Sequence, residues 1–145
     1  MLASIFQDNM MIQAGRPFRV WGSGAPGERV EIEVEGPCAR RGSGVCGADG
    51  RFCLEFEGIS ASAEPYEISA GGQRIRNLLF GEVFLCAGQS NMELPLQYVK
   101  YDGYREYENV DKIRVVDIAN GTSAAAEMQF AEKAVWKTPA KIEDL

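Results

Sequence analysis

The chain has 145 residues, 46% apolar and 25% charged, with a formal net charge of -6. That length holds one domain, or one small domain and part of another. The acidic balance and the lack of a basic run exclude the electrostatic footprint of a nucleic-acid binder, and no apolar run approaches the roughly 20 residues of a membrane-spanning helix.

The first residues, Met1-Leu2-Ala3-Ser4-Ile5-Phe6-Gln7-Asp8, show neither the basic segment nor the apolar core of a signal peptide. The expectation is a cytoplasmic protein with no membrane partner. Asp8 and Asn9 read as turn residues. Residues 18–22 form a candidate strand, and Gly24-Ala25-Pro26-Gly27 a turn in which Pro and Gly each restrict the backbone. From 29 to 35 the alternation is complete, with Val30, Ile32 and Val34 inward and Glu31, Glu33 and Glu35 outward. This is a half-buried antiparallel strand with a solvated acidic face, not a metal site, because carboxylates along one strand diverge. Trp21 reads as core. Ala48-Asp49-Gly50 signals a hairpin turn, followed by a strand over 51–57 with Phe52, Leu54 and Phe56 on one face. Residues 66–70, then Gly71-Gly72, then 73–79 read as a second hairpin. Turn signals at this spacing predict a β-sandwich over residues 1–80, large enough to fold alone.

The pattern changes at Gly81. Val83, Leu85 and Ala87 lie on one face and Phe84 and Cys86 on the other, and both faces are apolar. This is the pattern of a central strand covered on both sides, as in a parallel α/β sheet, and ligand and catalytic groups collect just past the carboxyl ends of such strands. Gly88, Gln89, Ser90 and Asn91 stand there. Beyond them, 92–96 begin a helix or an irregular loop. Tyr98, Tyr101, Tyr104 and Tyr107 recur every three residues and either pack on a partner or flank a cleft. A second strand is expected over 113–118, a loop or weak helix over 121–132, and a short edge strand at 134–137. Two or three strands cannot close a two-faced sheet, so residues 81–145 need cover from further polypeptide or from a second copy of the chain.

The four cysteines, Cys38, Cys46, Cys53 and Cys86, match no zinc spacing. Cys53 and Cys86 are expected to be buried as small hydrophobes. Cys38 and Cys46 flank Arg40-Arg41-Gly42-Ser43-Gly44, a segment that either turns back to permit a bridge or leaves free thiols, the usual state in a reducing compartment. Histidine is absent. A serine hydrolase of the Ser-His type requires an imidazole to take the serine proton near neutral pH.

Gly88-Gln89-Ser90-Asn91-Met92 resembles the first block of the SGNH (GDSL-like) hydrolases, in the form found in sialate O-acetylesterases and related carbohydrate acetylesterases. Upstream, Ser4 through Gln13, Val20-Trp21-Gly22, Pro26-Gly27-Glu28, Asp49-Gly50-Arg51-Phe52 and Pro65-Tyr66-Glu67 resemble the N-terminal region of that family in its order. A weaker echo follows at Lys112-Ile113-Arg114-Val115-Val116 and Val135-Trp136. The resemblance implies a β-sandwich (1–80) followed by the start of a flavodoxin-like α/β domain (81–145), truncated before the blocks that carry a glycine, an asparagine and an Asp-His pair. It implies Ser90 as the nucleophile, its own N–H as an oxyanion donor, and Gly88 as the residue that permits a tight turn. Gln89 and Asn91 border the pocket in that reading, or else brace the turn. Without lineage, Ser90 reads as a helix N-cap. The implied substrate of the whole enzyme is an acetylated sugar, on sialic acid, xylan or another glycan. No metal or organic cofactor is implied. This chain alone, lacking the base, is expected to be inactive. The alternative is a non-catalytic β-sandwich that binds carbohydrate or packs against another domain.

Overall fold

The computed structural model describes residues 1–88, 90–94, 98, 109–118 and 134–140. The strands are β1 (Met11–Gln13), β2 (Phe18–Ser23), β3 (Arg29–Glu35), β4 (Arg40–Val45), β5 (Arg51–Phe56), β6 (Ser62–Ala70), β7 (Gln73–Gly81), β8 (Val115–Val116) and β9 (Trp136–Lys137). Ser90–Glu93 and Val110–Lys112 are short 3-10 turns.

The chain is β-rich. One mixed sheet has the order β1-β7-β6-β3-β4, with β1 parallel to β7 and the other pairs antiparallel. A second sheet pairs β2 with β5. The N-terminal residues extend that sheet: Leu2 bridges Gly22, the Ala3 N–H donates to the Trp21 carbonyl at 3.0 Å, and the Ser23 N–H donates to the Met1 carbonyl at 2.8 Å.

The alternation in β3 drives the packing. Val30, Ile32 and Val34 are buried, while Glu31 and Glu33 face outward and pair with Arg29 and Arg41. Phe52 and Phe56 of β5 turn inward to meet them. At the centre, Phe18 stacks on Phe56 with ring centroids 5.3 Å apart, and Phe80 meets Phe18 and Tyr66 edge-on at 5.2 and 4.9 Å. Such aromatic pairs stabilise beyond their area alone. Trp21 is half-buried and lies edge-on to Phe6 at 4.8 Å.

The turn at Asp49–Gly50 forms, with the Arg51 N–H donating to Asp49 Oδ1 at 3.1 Å and Gly50 at φ 74°. The strands it joins lie in different sheets, so it is a corner and not a hairpin within one sheet. Its predecessor, β4, was not expected as a strand. The inward positions of β4 include Gly42 and Gly44, and a Cβ on Gly42 would stand 3.0 Å from Phe56 Cε1, while one on Gly44 would stand 3.2 Å from Leu54 Cδ1. The opposite sheet fills the space that side chains would take. The Gly71-Gly72 hairpin is as expected, with both glycines at positive φ, the geometry of a two-residue turn.

Asp8 and Asn9 have a defined structural task. The β6–β7 register shifts between Tyr66↔Leu78 and Ile68↔Ile75, leaving a bulge around Arg76 and Asn77. The Arg76 N–H donates to Asp8 Oδ1 at 2.7 Å, the Arg76 carbonyl accepts from the Asn9 N–H at 3.0 Å, and Asn77 Nδ2 donates to Asn9 Oδ1 at 2.7 Å. Asn9 and Asn77 both sit at positive φ, a conformation asparagine tolerates better than most residues.

Several expectations are corrected. The run 83–87 is not a strand: the backbone after Gly81 is irregular, and Val83, Phe84 and Leu85 are exposed. A strand apolar on both faces needs neighbours on its edges and layers on its faces, and the described residues supply neither. Cys86 is therefore exposed. Cys53 is also exposed, because β5 turns Phe52, Leu54 and Phe56 inward and the intervening position outward. All four cysteines are free thiols, with Cys46 buried and Cys38 exposed. Strand β4 runs extended between Cys38 and Cys46, about 20 Å at ~3.3 Å per residue, far beyond the roughly 4.4–6.8 Å Cα separation of a disulfide. The strand expected over 113–118 shortens to β8, Val115–Val116, which pairs antiparallel with β9. The region 121–132 lies outside the described residues.

Candidate functional site

Ser90 opens the 3-10 turn Ser90–Glu93 and is exposed. As the first residue of a tight turn, its backbone N–H is one of those a short helix leaves without an internal partner. Gly88, two residues earlier, is exposed too, and its φ is not in the left-handed region. A Cβ here would stand 3.3 Å from Met92 Cε and 3.4 Å from Met92 Cβ, a tight contact with an exposed side chain. The structure thus brings Gly88 and Met92 together around Ser90. Gln89 lies outside the described residues, as do Tyr101, Tyr104 and Tyr107. Asn91 is placed by its backbone in the turn. Tyr98 is described and exposed.

Upstream, the exit from the sandwich is held by a residue to which the sequence assigned no role. Gln13, at the end of β1, accepts the Val83 N–H on its Oε1 at 2.9 Å and donates from Nε2 to Glu82 Oε2 at 3.1 Å. Its only signal in the sequence was membership of the motif ending Met10-Met11-Ile12-Gln13.

Downstream, the Val110–Lys112 turn and Arg114 just after it carry the described groups whose titration is displaced. Asp111 is held below the ordinary carboxylate value, chiefly by a hydrogen bond from Lys112, whose ammonium lies 2.8 Å away. Burial lowers Arg114 below the ordinary guanidinium value, and its Nη1 donates to the Asp111 and Ile113 carbonyls at 2.7 and 2.9 Å. These contacts stabilise the turn.

A depression of about 380 Å³ lies elsewhere, at the N-terminal edge of the sandwich, lined by Leu2, Gly24, Glu28, Arg29, Phe52 and Gln73 among others. None of the predicted site residues lines it. No group of three or more metal-ligating side chains occurs among the described residues.

Comparison with known proteins follows the same division. No family model matches the chain. Among solved structures, a carbohydrate acetylesterase from Xanthomonas citri superposes with a TM-score of 0.76 at 23% identity, over 95% of this chain and 32% of that one. By fold, then, the chain has the β-rich architecture found in a carbohydrate acetylesterase. By sequence it is like the N-terminal part of a sialate O-acetylesterase. The Homo sapiens sialate O-acetylesterase is 24% identical over 144 residues, covering 90% of this chain and 27% of the relative. The Rattus norvegicus protein of that name is 23% identical over 138 residues, covering 86% and 25%. The chain spans about a quarter of the length of the curated relatives it matches.

Proposed function

We propose that this chain is part of a carbohydrate O-acetylesterase, similar to those acting on sialate esters, in which Ser90 is the nucleophile. In this reading residues 1–80 are the β-sandwich, and residues 81–145 begin an SGNH-type α/β domain that further polypeptide completes. The observation that carries the reading is Ser90 itself, exposed at the head of a tight turn, in a Gly-Gln-Ser-Asn-Met setting, directly after an apolar run with no cover. A serine hydroxyl is a weak nucleophile until a base takes its proton, and a chain without histidine cannot supply an imidazole.

The reaction then runs as follows. Ser90 Oγ attacks the acetyl carbonyl while a histidine from the further polypeptide takes the hydroxyl proton. The Ser90 N–H, with donors from that polypeptide, holds the oxyanion. Collapse releases the sugar hydroxyl, which receives the proton, and water then cleaves the acetyl-serine to free acetate. Gly88, Gln89 and Asn91 shape the pocket. The test is to supply the chain with the polypeptide encoded downstream and measure release of acetate from O-acetylated sialic acid and from acetylated xylan. Activity that appears on joining and disappears with Ser90→Ala supports the proposal. Activity indifferent to Ser90→Ala refutes it.

A second reading has one observation in its favour. The hydrophobic core closes with Trp136 packed against it and with no member from the described residues between 82 and 94. A sandwich complete without the serine turn suits a carbohydrate-binding or domain-packing module. Glycan binding that survives in a chain ending at Gly81, with no hydrolysis by the joined protein, favours this alternative.

A further inference from the structure

The passage from the sandwich to Ser90 is governed at one point. Strand β1 runs parallel to β7 from Met11↔Leu79 to Gln13↔Gly81, and the Ala14 N–H continues the ladder by donating to the Gly81 carbonyl at 2.9 Å. There β1 ends. Gly15 takes a φ of 72°, and its N–H turns away to the Ile59 carbonyl at 2.8 Å. Val83, two residues past Gly81 on the exiting chain, therefore has no backbone acceptor in β1.

Gln13 supplies that acceptor from its side chain. Its Oε1 takes the Val83 N–H at 2.9 Å, while its Nε2 donates to Glu82 Oε2 at 3.1 Å and to the Ala14 carbonyl at 3.2 Å. The arrangement needs an acceptor and a donor on one planar group, which an amide provides and a carboxylate or ammonium does not. Among the described residues, these are the hydrogen bonds that tie Glu82 and Val83 to the sandwich. Beyond them Phe84 and Leu85 are 82% and 86% exposed, so the chain's direction is set before it leaves contact.

We propose that Gln13 is a positioning residue. Its amide adds one rung to the β1–β7 ladder and fixes the line along which the segment bearing Ser90 departs. The inference deepens the reading of Ser90 as nucleophile and rests on it for its purpose. Gln13 itself touches no reacting atom.

Amide exchange in the full chain, followed by NMR at single residues, tests the rung directly. In Gln13→Ala the Val83 amide should exchange about tenfold faster, the effect of losing one ordinary hydrogen bond, while Ala14 and Leu79, whose bonds are backbone to backbone, keep their rates. Gln13→Glu keeps an acceptor for Val83 but has no donor for Glu82 or the Ala14 carbonyl and sets a second carboxylate beside Glu82, so it should leave the Val83 amide less protected than in the parent. Three results would overturn the proposal: an unchanged Val83 rate in Gln13→Ala, an acceleration shared equally by Ala14 and Leu79, or a Val83 rate in Gln13→Glu equal to the parent's. The Ser90→Ala assay is read on the joined protein and these rates on the chain itself, so failure of the nucleophile and failure of the positioning role are seen separately.

Discussion

The indole N–H of Trp136 donates to the carbonyl of Ile5 at 3.0 Å, joining positions 131 residues apart. A second bond runs beside it, from Gln7 Nε2 to the Ala134 carbonyl, and the Trp136 ring packs against the core. The β8–β9 ribbon is thereby fastened to the N-terminal segment of the sandwich.

Replacing Trp136 separates the two parts of that fastening. Trp136→Phe keeps a ring and loses the hydrogen bond, and should cost about 1 kcal/mol in urea unfolding. Trp136→Ala loses packing as well and should cost roughly 2–3 kcal/mol, below the full range for a buried aromatic because the ring is only half-buried. A chain ending at Gly81 keeps every buried member of the central cluster, so it should still unfold in one cooperative transition. A broad, uncooperative melt would count against that.

Strand β4 supplies a second test. Gly42→Val should destabilise by about 1–3 kcal/mol, because a branched side chain would be driven into Phe56 and Leu54 across the sheet gap. Gly42→Ala meets only ring and methyl atoms at 3.0–3.2 Å and should cost clearly less. Equal melting temperatures for the valine variant and the parent would mean the two sheets are not in contact there.

This strand also marks the limit of what the sequence made legible. β3 could be read because valine and isoleucine alternate with glutamate, so burial is written in side-chain chemistry. In β4 the same alternation is written in glycines, and their burial is decided by Leu54 and Phe56, residues of another sheet. Cys53 was misplaced for a related reason: the inward set of β5 was read correctly as Phe52, Leu54 and Phe56, but the outward position between them was not followed to its consequence. Asp8 and Asn9 were recognised as turn residues, yet their partners at Arg76 and Asn77 depend on a bulge that no local pattern announces. Around Ser90 the order of residues was legible through resemblance, whereas the crowding of Gly88 by Met92 and the reach of Gln13 to Val83 needed coordinates. The apolar run at 83–87 has a strand's composition, but strand geometry requires partners outside its own sequence.

The Asp8 contact predicts a localised loss. Asp8→Ala leaves the Arg76 N–H at the bulge without its carboxylate acceptor and should lower stability by about 1 kcal/mol. Asn9→Val, forced to hold φ near 67° with a β-branched side chain, should cost more than Asn9→Gly, which adopts that conformation freely. Thermal melts of the three variants check the order. A valine variant as stable as the glycine variant would show that the turn relaxes to another backbone.

The 145-residue chain on its own should show no significant esterase activity. It has no histidine to activate Ser90, and removal of a triad leaves at best roughly 10³–10⁴-fold acceleration over water. The check is turnover of 4-nitrophenyl acetate by the pure chain. Robust hydrolysis that Ser90→Ala abolishes would show that another base, within this chain, does the work assigned to a histidine elsewhere.

The exposed run after Gly81 should make the chain associate. Val83, Phe84 and Leu85 stand in sequence with 45%, 82% and 86% of their surfaces in water, and Cys86 beside them is exposed as well. Burying a side chain such as Phe84 or Leu85 is worth roughly 1.5–3 kcal/mol, and adjacent apolar groups next to unpaired backbone form a surface that recruits other chains. The segment can gain cover from further polypeptide or from a second copy. In a solution of this chain alone the second copy is the cover at hand, so sedimentation should show a mass that rises with concentration. The double variant Phe84→Ser with Leu85→Ser should suppress that rise while leaving the melting temperature of the sandwich nearly unchanged, since neither residue belongs to its core. A parent chain that stays monomeric at high concentration while its 83–87 amides exchange as slowly as those of Val30 and Val34 would refute the prediction, because it would mean the chain covers this run by itself.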